Sequence, residues 1–280
     1  IYTLSLHDAL PISDKDEPVQ EFHFRHKHLT AGEVSASKMH RLHQVKLFFP
    51  AICHITHGSK VIVQDDNRLV ATRDELIIIP ANTAMEIINQ PANGLFHSDL
   101  LMLSPEIVAE FKAHYLKSWP RTTLHSLCAP LSEGLAFMWD NLLHAVRQEL
   151  PEALQKHQAF GLLLALLHDG VAGPLLIERS NNLTEQVRQF IMLSPARAWT
   201  AQDVASRLAL SVPTLRRRLR EESQSFRQIV EEVRMAVALS QLQSTRLPIG
   251  EIALQCGYLS SSRFTARFRQ HYGCLPKTLR

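Results

Sequence analysis

The chain has 280 residues, 45% of them hydrophobic, with a formal net charge of +3 and four cysteines. At roughly 100–200 residues per domain this is material for one large domain or two ordinary ones, which excludes a disordered or fibrous chain. The small net charge is an average of opposites: residues 1–180 carry 15 basic against 20 acidic side chains, and residues 181–280 carry 15 against 7. Such asymmetry points to a basic module that meets a polyanion, most often nucleic acid, joined to a module with another task; the plainer alternative is a solvated basic face. Cys53, Cys128, Cys256 and Cys274 form no C-x-x-C pair and are too sparse to staple the chain, so they read as reduced thiols of a cytoplasmic protein. The longest apolar run, Leu162–Leu167, falls far short of the ~20 residues of a membrane span.

The first thirteen residues, Ile1–Ser13, lack the basic start and the long apolar stretch of a secretory signal. They resemble translated read-through of a sequencing adapter and are expected to take no part in the fold, some authentic N-terminal sequence being missing. From Glu21 to Leu103, short aliphatic runs alternate with turn residues: Ala51–Ile55, Lys60–Val63, Leu76–Ile79 and Met85–Ile88, separated by Gly, Asn, Asp and Pro. That texture predicts an all-β barrel or sandwich. Between Ser104 and Glu178 the pattern turns helical. Ser104 and Pro105 suit the cap and first position of a helix, and two longer helices are expected at Leu131–Glu149 and Pro151–Asp169, the second ended by Gly170 and Gly173-Pro174. In that helix Phe160, Leu163, Leu164 and Leu167 share a face widened by Leu162 and Leu166; a core helix and a self-association helix both fit. The segment Leu175–Asn182 reads as the linker region, and the domain bounds are set at 21–178 and 185–280 with the linker at 179–184. Breaks at Ser194-Pro195, Ser211-Val212-Pro213, Leu247-Pro248, Cys256-Gly257 and Gly273 cut the rest into six or seven short helices.

The chemistry-bearing pattern is a repeated helix-turn-helix. Val204, Ala205 and Leu208 form the inner stripe of a first helix; after Ala209-Leu210, Ser211 caps a second whose inner stripe is Leu215 and Leu219, leaving Pro213, Arg216, Arg217 and Arg220 turned outward. A helix projecting several arginines, supported by a short helix across a tight turn, suits insertion into a major groove. About 48 residues later the arrangement recurs: Ile252, Ala253, Gly257-Tyr258, then a helix capped by Ser260 with Phe264, Phe268 and Tyr272 inward and Ser261, Ser262, Thr265, Ala266 and Arg269 outward. Between the two motifs, Ser225–Gln243 is apolar on two faces, as a rigid connector packed from both sides requires.

The segments Trp199–Ala205, Ser211–Arg220, Ser225–Arg227 and Ile249–Phe268 together resemble the signature of AraC/XylS-type transcription regulators, over about Leu183–Arg280. By that resemblance the fold is α+β in two domains: a cupin-like barrel followed by helices that pair two subunits, then an all-α DNA-binding domain. The base-facing positions it implies are Pro213, Thr214, Arg216 and Arg217 in the first helix and Ser261, Ser262, Thr265 and Ala266 in the second. Arg220, Arg263 and Arg269 are added as DNA contacts, and Arg267 also lies beside the second helix. Arginine pairs bidentately with guanine whereas Ser, Thr and Ala give weaker contacts, so the first helix is expected to carry more of the discrimination. The implied partners are promoter DNA, RNA polymerase, a second copy of the chain and a small-molecule effector, in a cytoplasmic, nucleoid-associated bacterial protein. Two positions depart from the family: Ala209 stands where Gly is common, which predicts a left-handed backbone with strain of roughly 1 kcal/mol, and the chain ends at Leu279-Arg280 without the usual aromatic, which predicts a loosely held last turn.

The N-terminal half carries no comparably specific motif. His23, His26, His28, His40, His43, His54, His57 and His97 raise the question of a cupin metal site. After His54 and His57 no glutamate follows at the required interval, and Glu86 stands where such barrels place a late histidine. No metal, no cofactor and no catalytic constellation are expected. Two alternatives stay open: a metal-dependent cupin enzyme fused to a DNA-binding module, and a DNA-binding regulator without an effector.

Overall fold

The computed structural model describes residues 29–64, 67–116, 126–176 and 182–279. Among the described residues, nine strands form two antiparallel sheets: β1 (Leu29–Ala36), β8 (Phe96–Leu103), β3 (Ala51–His57), β6 (Glu75–Ile79) and β9 (Cys128–Pro130) in that order, facing β2 (His40–Lys46), β7 (Ala84–Gln90), β4 (Ser59–Gln64) and β5 (Asn67–Ala71). The expected runs at 51–55, 60–63, 76–79 and 85–88 all lie within strands. The first sheet is buried on both faces, which explains its aliphatic runs without polar alternation. In β6, Ile77 and Ile79 point into the barrel with Cys53, Ile55 and Phe96, while Leu76 and Ile78 point out to join Ile52, Leu101 and Leu103 under the helices.

Those helices are α1 (Pro105–Tyr115), α2 (Glu133–Arg147), α3 (Glu152–His168) and the single turn α4 (Gly173–Leu176). Ser104 caps α1 by accepting from the Ile107 N–H at 3.3 Å, and Ser132 caps α2 in the same way through Leu135. Helix α3 is chiefly a core helix, since Ala159, Leu162, Leu163, Leu166 and Leu167 are buried with Trp139 and Phe111. Gly173-Pro174 opens a turn rather than ending one, because Pro fits the first helical position. Leu175 and Leu176 are buried against the same cluster, so the start of the segment read as linker belongs to the N-terminal unit. Residues 1–28, which include Ile1–Ser13, His23, His26 and His28, and positions 177–181 of the linker lie outside the described residues. Asn182 already caps the next helix by accepting from the Glu185 N–H at 2.9 Å.

The C-terminal unit is α5 (Leu183–Leu193), α6 (Ala201–Arg207), α7 (Val212–Glu221), α8 (Phe226–Ser244), α9 (Ile249–Gln255), α10 (Ser261–Tyr272) and a 3₁₀ turn, Pro276–Leu279. The long α8 is the two-faced connector: Ile229, Val233, Met235, Val237, Ala238, Leu239 and Leu242 are buried, and the barrel interior and the helical core merge around it. The expectation of a loose last turn fails for Leu279, which is buried by packing of the 3₁₀ turn against α8 and α10. An aliphatic side chain there covers the same core an aromatic would; Arg280 lies outside the described residues.

Candidate nucleic-acid interface and interior cavity

Helix α6 starts on a reciprocal cap: the Asp203 N–H donates to Thr200 Oγ1 at 3.1 Å and the Thr200 N–H donates to Asp203 Oδ2 at 2.8 Å. The hydrogen bonds from Thr200 hold the Asp203 carboxyl below its ordinary range. The turn to α7 has Ala209 at φ 52°, the left-handed conformation expected, and closes with the Leu210 N–H donating to Ala205 O at 2.9 Å. In the second motif Gly257 stands at φ 78° and the Tyr258 N–H donates to Ala253 O, also at 2.9 Å. The same hydrogen bond, 48 residues apart, makes the repeat a geometric one.

The second helices of the two motifs present unlike faces. In α7, capped by Ser211, Leu215 and Leu219 are fully buried and Pro213, Arg216, Arg217 and Arg220 are exposed, with Thr214 half-buried. Arg217 Nη1 donates to Glu221 Oε1 at 2.6 Å. In α10, capped by Ser260, Phe264, Phe268 and Tyr272 are buried in an aromatic stack with centroid separations of 5.7 and 4.8 Å. Ser261, Ser262, Thr265, Ala266 and Arg269 line one shallow surface hollow with Leu275, and Arg263 is exposed beside them. Arg267 instead turns back to Glu231 of α8 at 3.9 Å and to Gln270.

Three positioning residues carry no motif in the sequence. Arg234 of α8 donates from Nε to Pro195 O (3.0 Å), from Nη2 to Arg197 O (3.0 Å) and from Nη1 to Gly257 O (3.3 Å), so one guanidinium fixes the loop after α5 and the turn of the second motif. Glu222, just past α7, accepts the N–H groups of Leu183 and Thr184 that open α5. Arg188 of α5, only 4% exposed, pairs with Glu185 at 2.8 Å and reaches Asn82 Oδ1 of the barrel at 3.2 Å, over the Phe48 ring. The signal available for Arg234 and Arg188 was a charged residue inside an otherwise apolar stripe.

The barrel encloses a cavity of about 110 Å³, several water volumes, walled by Val34, Leu42, Val45, Cys53, Ile79, Ile87 and Met102 and closed on one side by Ala236, Leu239, Ser240 and Gln243 of α8. Among its polar lining residues, which include Thr30, Glu33 and Lys46, Lys60 and Asn89 come from facing positions of β4 and β7. Lys60 is 4% exposed, its ammonium 5.3 Å from the Phe96 ring centroid, and among the described residues no carboxylate pairs with it. Asn89 Oδ1 is buried without a hydrogen-bond partner. The Lys46 side chain, 23% exposed, also lines the cavity.

The described histidines do not converge. His54 Nε2 donates to Arg73 O at 3.0 Å and its ring packs edge-on against Trp139, His57 contacts Thr56, and His43 sits 2.7 Å from Glu86. Burial lowers the pKa of His40. One group with metal-ligand reach occurs among the described residues, Glu33, His97 and Asp99. The Arg147 guanidinium bonds both of its carboxylates, which supplies the positive charge an ion would bring.

A protein-family model described as a helix-turn-helix domain matches residues 204–280. The HTH-type transcriptional regulator GadX of Escherichia coli (strain K12) is 36% identical over 118 residues, 42% of this chain and 43% of that protein. The transcriptional regulator SirC of Salmonella typhimurium (strain SL1344) is 31% identical over 170 residues, 58% and 57% of the two chains. The chain thus spans about half the length of the curated relatives it matches. Across nearly the whole fold it is similar to ToxT from Vibrio cholerae strain SCE256, solved with an unsaturated fatty acid bound: TM-score 0.64, 15% identity, 89% of this chain and 93% of that one. A second ToxT structure aligns with TM-score 0.65 at 13% identity, over 89% and 97%. The likeness to ToxT is one of fold: a barrel with helices followed by a helical unit. The C-terminal region of this chain contains two helix-turn-helix motifs, and the helix-turn-helix family model covers both over residues 204–280.

Proposed function

We propose that the chain is a sequence-specific, DNA-binding transcription regulator. The observation that carries this is the geometric repeat: two motifs with the same turn hydrogen bond, each exposing the polar side of its second helix. Pro213, Thr214, Arg216, Arg217 and Arg220 form one contact surface and Ser261, Ser262, Arg263, Thr265, Ala266 and Arg269 the other, and the matched relatives are transcriptional regulators. Selection of binding sites from random duplexes tests it. The expected site has two blocks about one helical turn apart, guanine-bearing at the α7 block; enrichment of no sequence would overturn the reading.

The effector is an acid with an apolar body. A buried lysine without a carboxylate partner is costly, and Lys60, 4% exposed in an apolar cavity, is satisfied by an anionic head group. The fatty acid of the ToxT structure is a ligand of this kind. Because α8 forms part of the wall, a ligand filling the cavity touches both units and favours the arrangement in which they are packed together. Thermal-shift titration with medium-chain carboxylates and the matching alcohols tests this: carboxylates should raise the midpoint and alcohols should not.

The partners that complete the proposal are promoter DNA, RNA polymerase and a second copy of the chain, in the cytoplasm. Exposed Phe137 on α2 (64%) and Leu154 on α3 (53%) lie on the helices that would pair two subunits. Among the described residues no helix is long and apolar enough to cross a membrane. The role is regulatory, as it is in the matched relatives, which are transcriptional regulators.

A further inference from the structure

We propose that Lys46 is the residue through which the cavity signals to the first helix-turn-helix motif. An anion in the cavity draws the Lys46 ammonium away from Glu232 of α8, and the altered pairing of Glu232 with Arg188 passes to α5 and α7. This rests on the acidic effector proposed above.

Lys46 ends β2 and has two environments within reach. Its side chain lines the cavity, and its Nζ is 3.5 Å from Glu232 Oε2. The same carboxylate oxygen is 3.5 Å from Arg188 Nη2. Both separations exceed the ~2.7–2.9 Å of a tight charged hydrogen bond, so one oxygen is divided between two cations and held closely by neither. Arg188 has capacity to spare: Nη1 is committed to Glu185 and Asn82, whereas the buried Nε has no partner.

An anion bound at Lys60 competes for Lys46 from the low-dielectric side, where Coulomb attraction is strongest. Once Lys46 turns inward, Glu232 keeps Arg188 alone and closes on it. Arg188 belongs to α5, whose first two N–H groups are held by Glu222 at the end of α7. A polar path thus runs from the cavity through Lys46, Glu232 and Arg188 along α5 to the first recognition helix. Each step joins different elements, and the Lys46 step crosses from the barrel to the DNA-binding unit.

The test uses the full chain, an operator taken from site selection, and octanoate and 1-octanol as probes. Operator affinity is measured by fluorescence anisotropy with each probe at saturation. In the wild type, octanoate should shift operator affinity about fivefold or more while octanol shifts it much less. In Glu232→Gln, octanoate should bind as well or better, its competitor for Lys46 having lost its charge, but its effect on operator affinity should fall to that of octanol. Lys46→Met, which keeps Lys60, should weaken octanoate binding and likewise equalise the two probes. Octanoate binding with its full effect on DNA retained in Glu232→Gln overturns the relay and leaves the effector reading standing. Failure of octanoate to bind the wild type overturns both.

Discussion

The Glu222 carboxylate, one residue past the first recognition helix, accepts the Leu183 N–H at 3.0 Å and the Thr184 N–H at 2.8 Å, so α5 begins on a charge supplied by α7. Those two N–H groups are among the four that a helix start leaves unsatisfied, and a carboxylate there also favours the helix dipole. Burial pushes the Glu222 carboxyl up, but the hydrogen bonds from Thr184 and Leu183 outweigh it and the net pKa lies below the ordinary 4.5. A lowered carboxyl contributes stability that is full above 4.5 and lost as the pH falls through the lower folded value. Glu222→Gln should therefore reduce stability near neutral pH by about 1 kcal/mol, allowing for partial solvent exposure. The gap between the thermal midpoints of variant and wild type should narrow as the buffer is taken below pH 4.5; a gap independent of pH would contradict the charge's role.

Ala209 occupies the left-handed region at φ 52°. A Cβ in that region costs roughly 1 kcal/mol, which glycine avoids at the expense of a more flexible unfolded chain. Ala209→Gly should accordingly raise the thermal midpoint, and calorimetry showing an equal or lower midpoint would refute the strain.

The equivalent position of the second motif gives the opposite forecast. Gly257 has φ 78°, and a methyl group there would run into the Arg234 guanidinium and approach Ala196 O. Gly257→Ala combines left-handed strain with displacement of the side chain that joins three backbone carbonyls. It should destabilise by clearly more than the ~1 kcal/mol of strain alone, a comparison denaturant titration of the two variants side by side decides.

Arg217 is exposed on α7 and pairs with Glu221 across one helical turn. Arg217→Ala should relax one base preference of the selected site by roughly 1–3 kcal/mol. Equal weakening on every site variant would instead make Arg217 a phosphate-binding residue, and the log–log dependence of affinity on salt would then be shallower by about 0.9 for that phosphate.

Lys60 is the most informative single position of the barrel. Lys60→Met removes a buried cation that lacks a carboxylate among the described residues, while keeping the chain length. In the absence of ligand it should raise the thermal midpoint, and it should abolish the stabilisation by carboxylates. A lower midpoint would show that the ammonium is already satisfied.

How much of this could be read beforehand depends on how local the determinants are. Both helix-turn-helix motifs are contiguous, each with a cap, a left-handed turn and a buried pair such as Leu215 and Leu219, so sequence spacing was sufficient; the left-handed Ala209 was legible for the same reason. The four strands with dense aliphatic runs were visible too. β1, β2 and β8 were less distinct, because β1 and β8 pair across more than sixty residues and β2 bears exposed Arg41, His43 and Gln44 beside its irregular register. Lys60 was hidden by its type, since lysine is normally a surface residue. The Lys46, Glu232 and Arg188 contacts join positions 46, 232 and 188, and only the packing of α8 on the barrel brings them together.

The four consecutive residues Leu76, Ile77, Ile78 and Ile79 of β6 alternate between the barrel interior and the layer beneath the helices, so one short strand is a common wall of both apolar clusters. The interior cluster in turn continues into the helices that hold the recognition surfaces. Melting any one layer strips apolar cover from its neighbour, and the free energies of the layers are therefore not separable. A truncation meant to isolate either half would leave an apolar face uncovered.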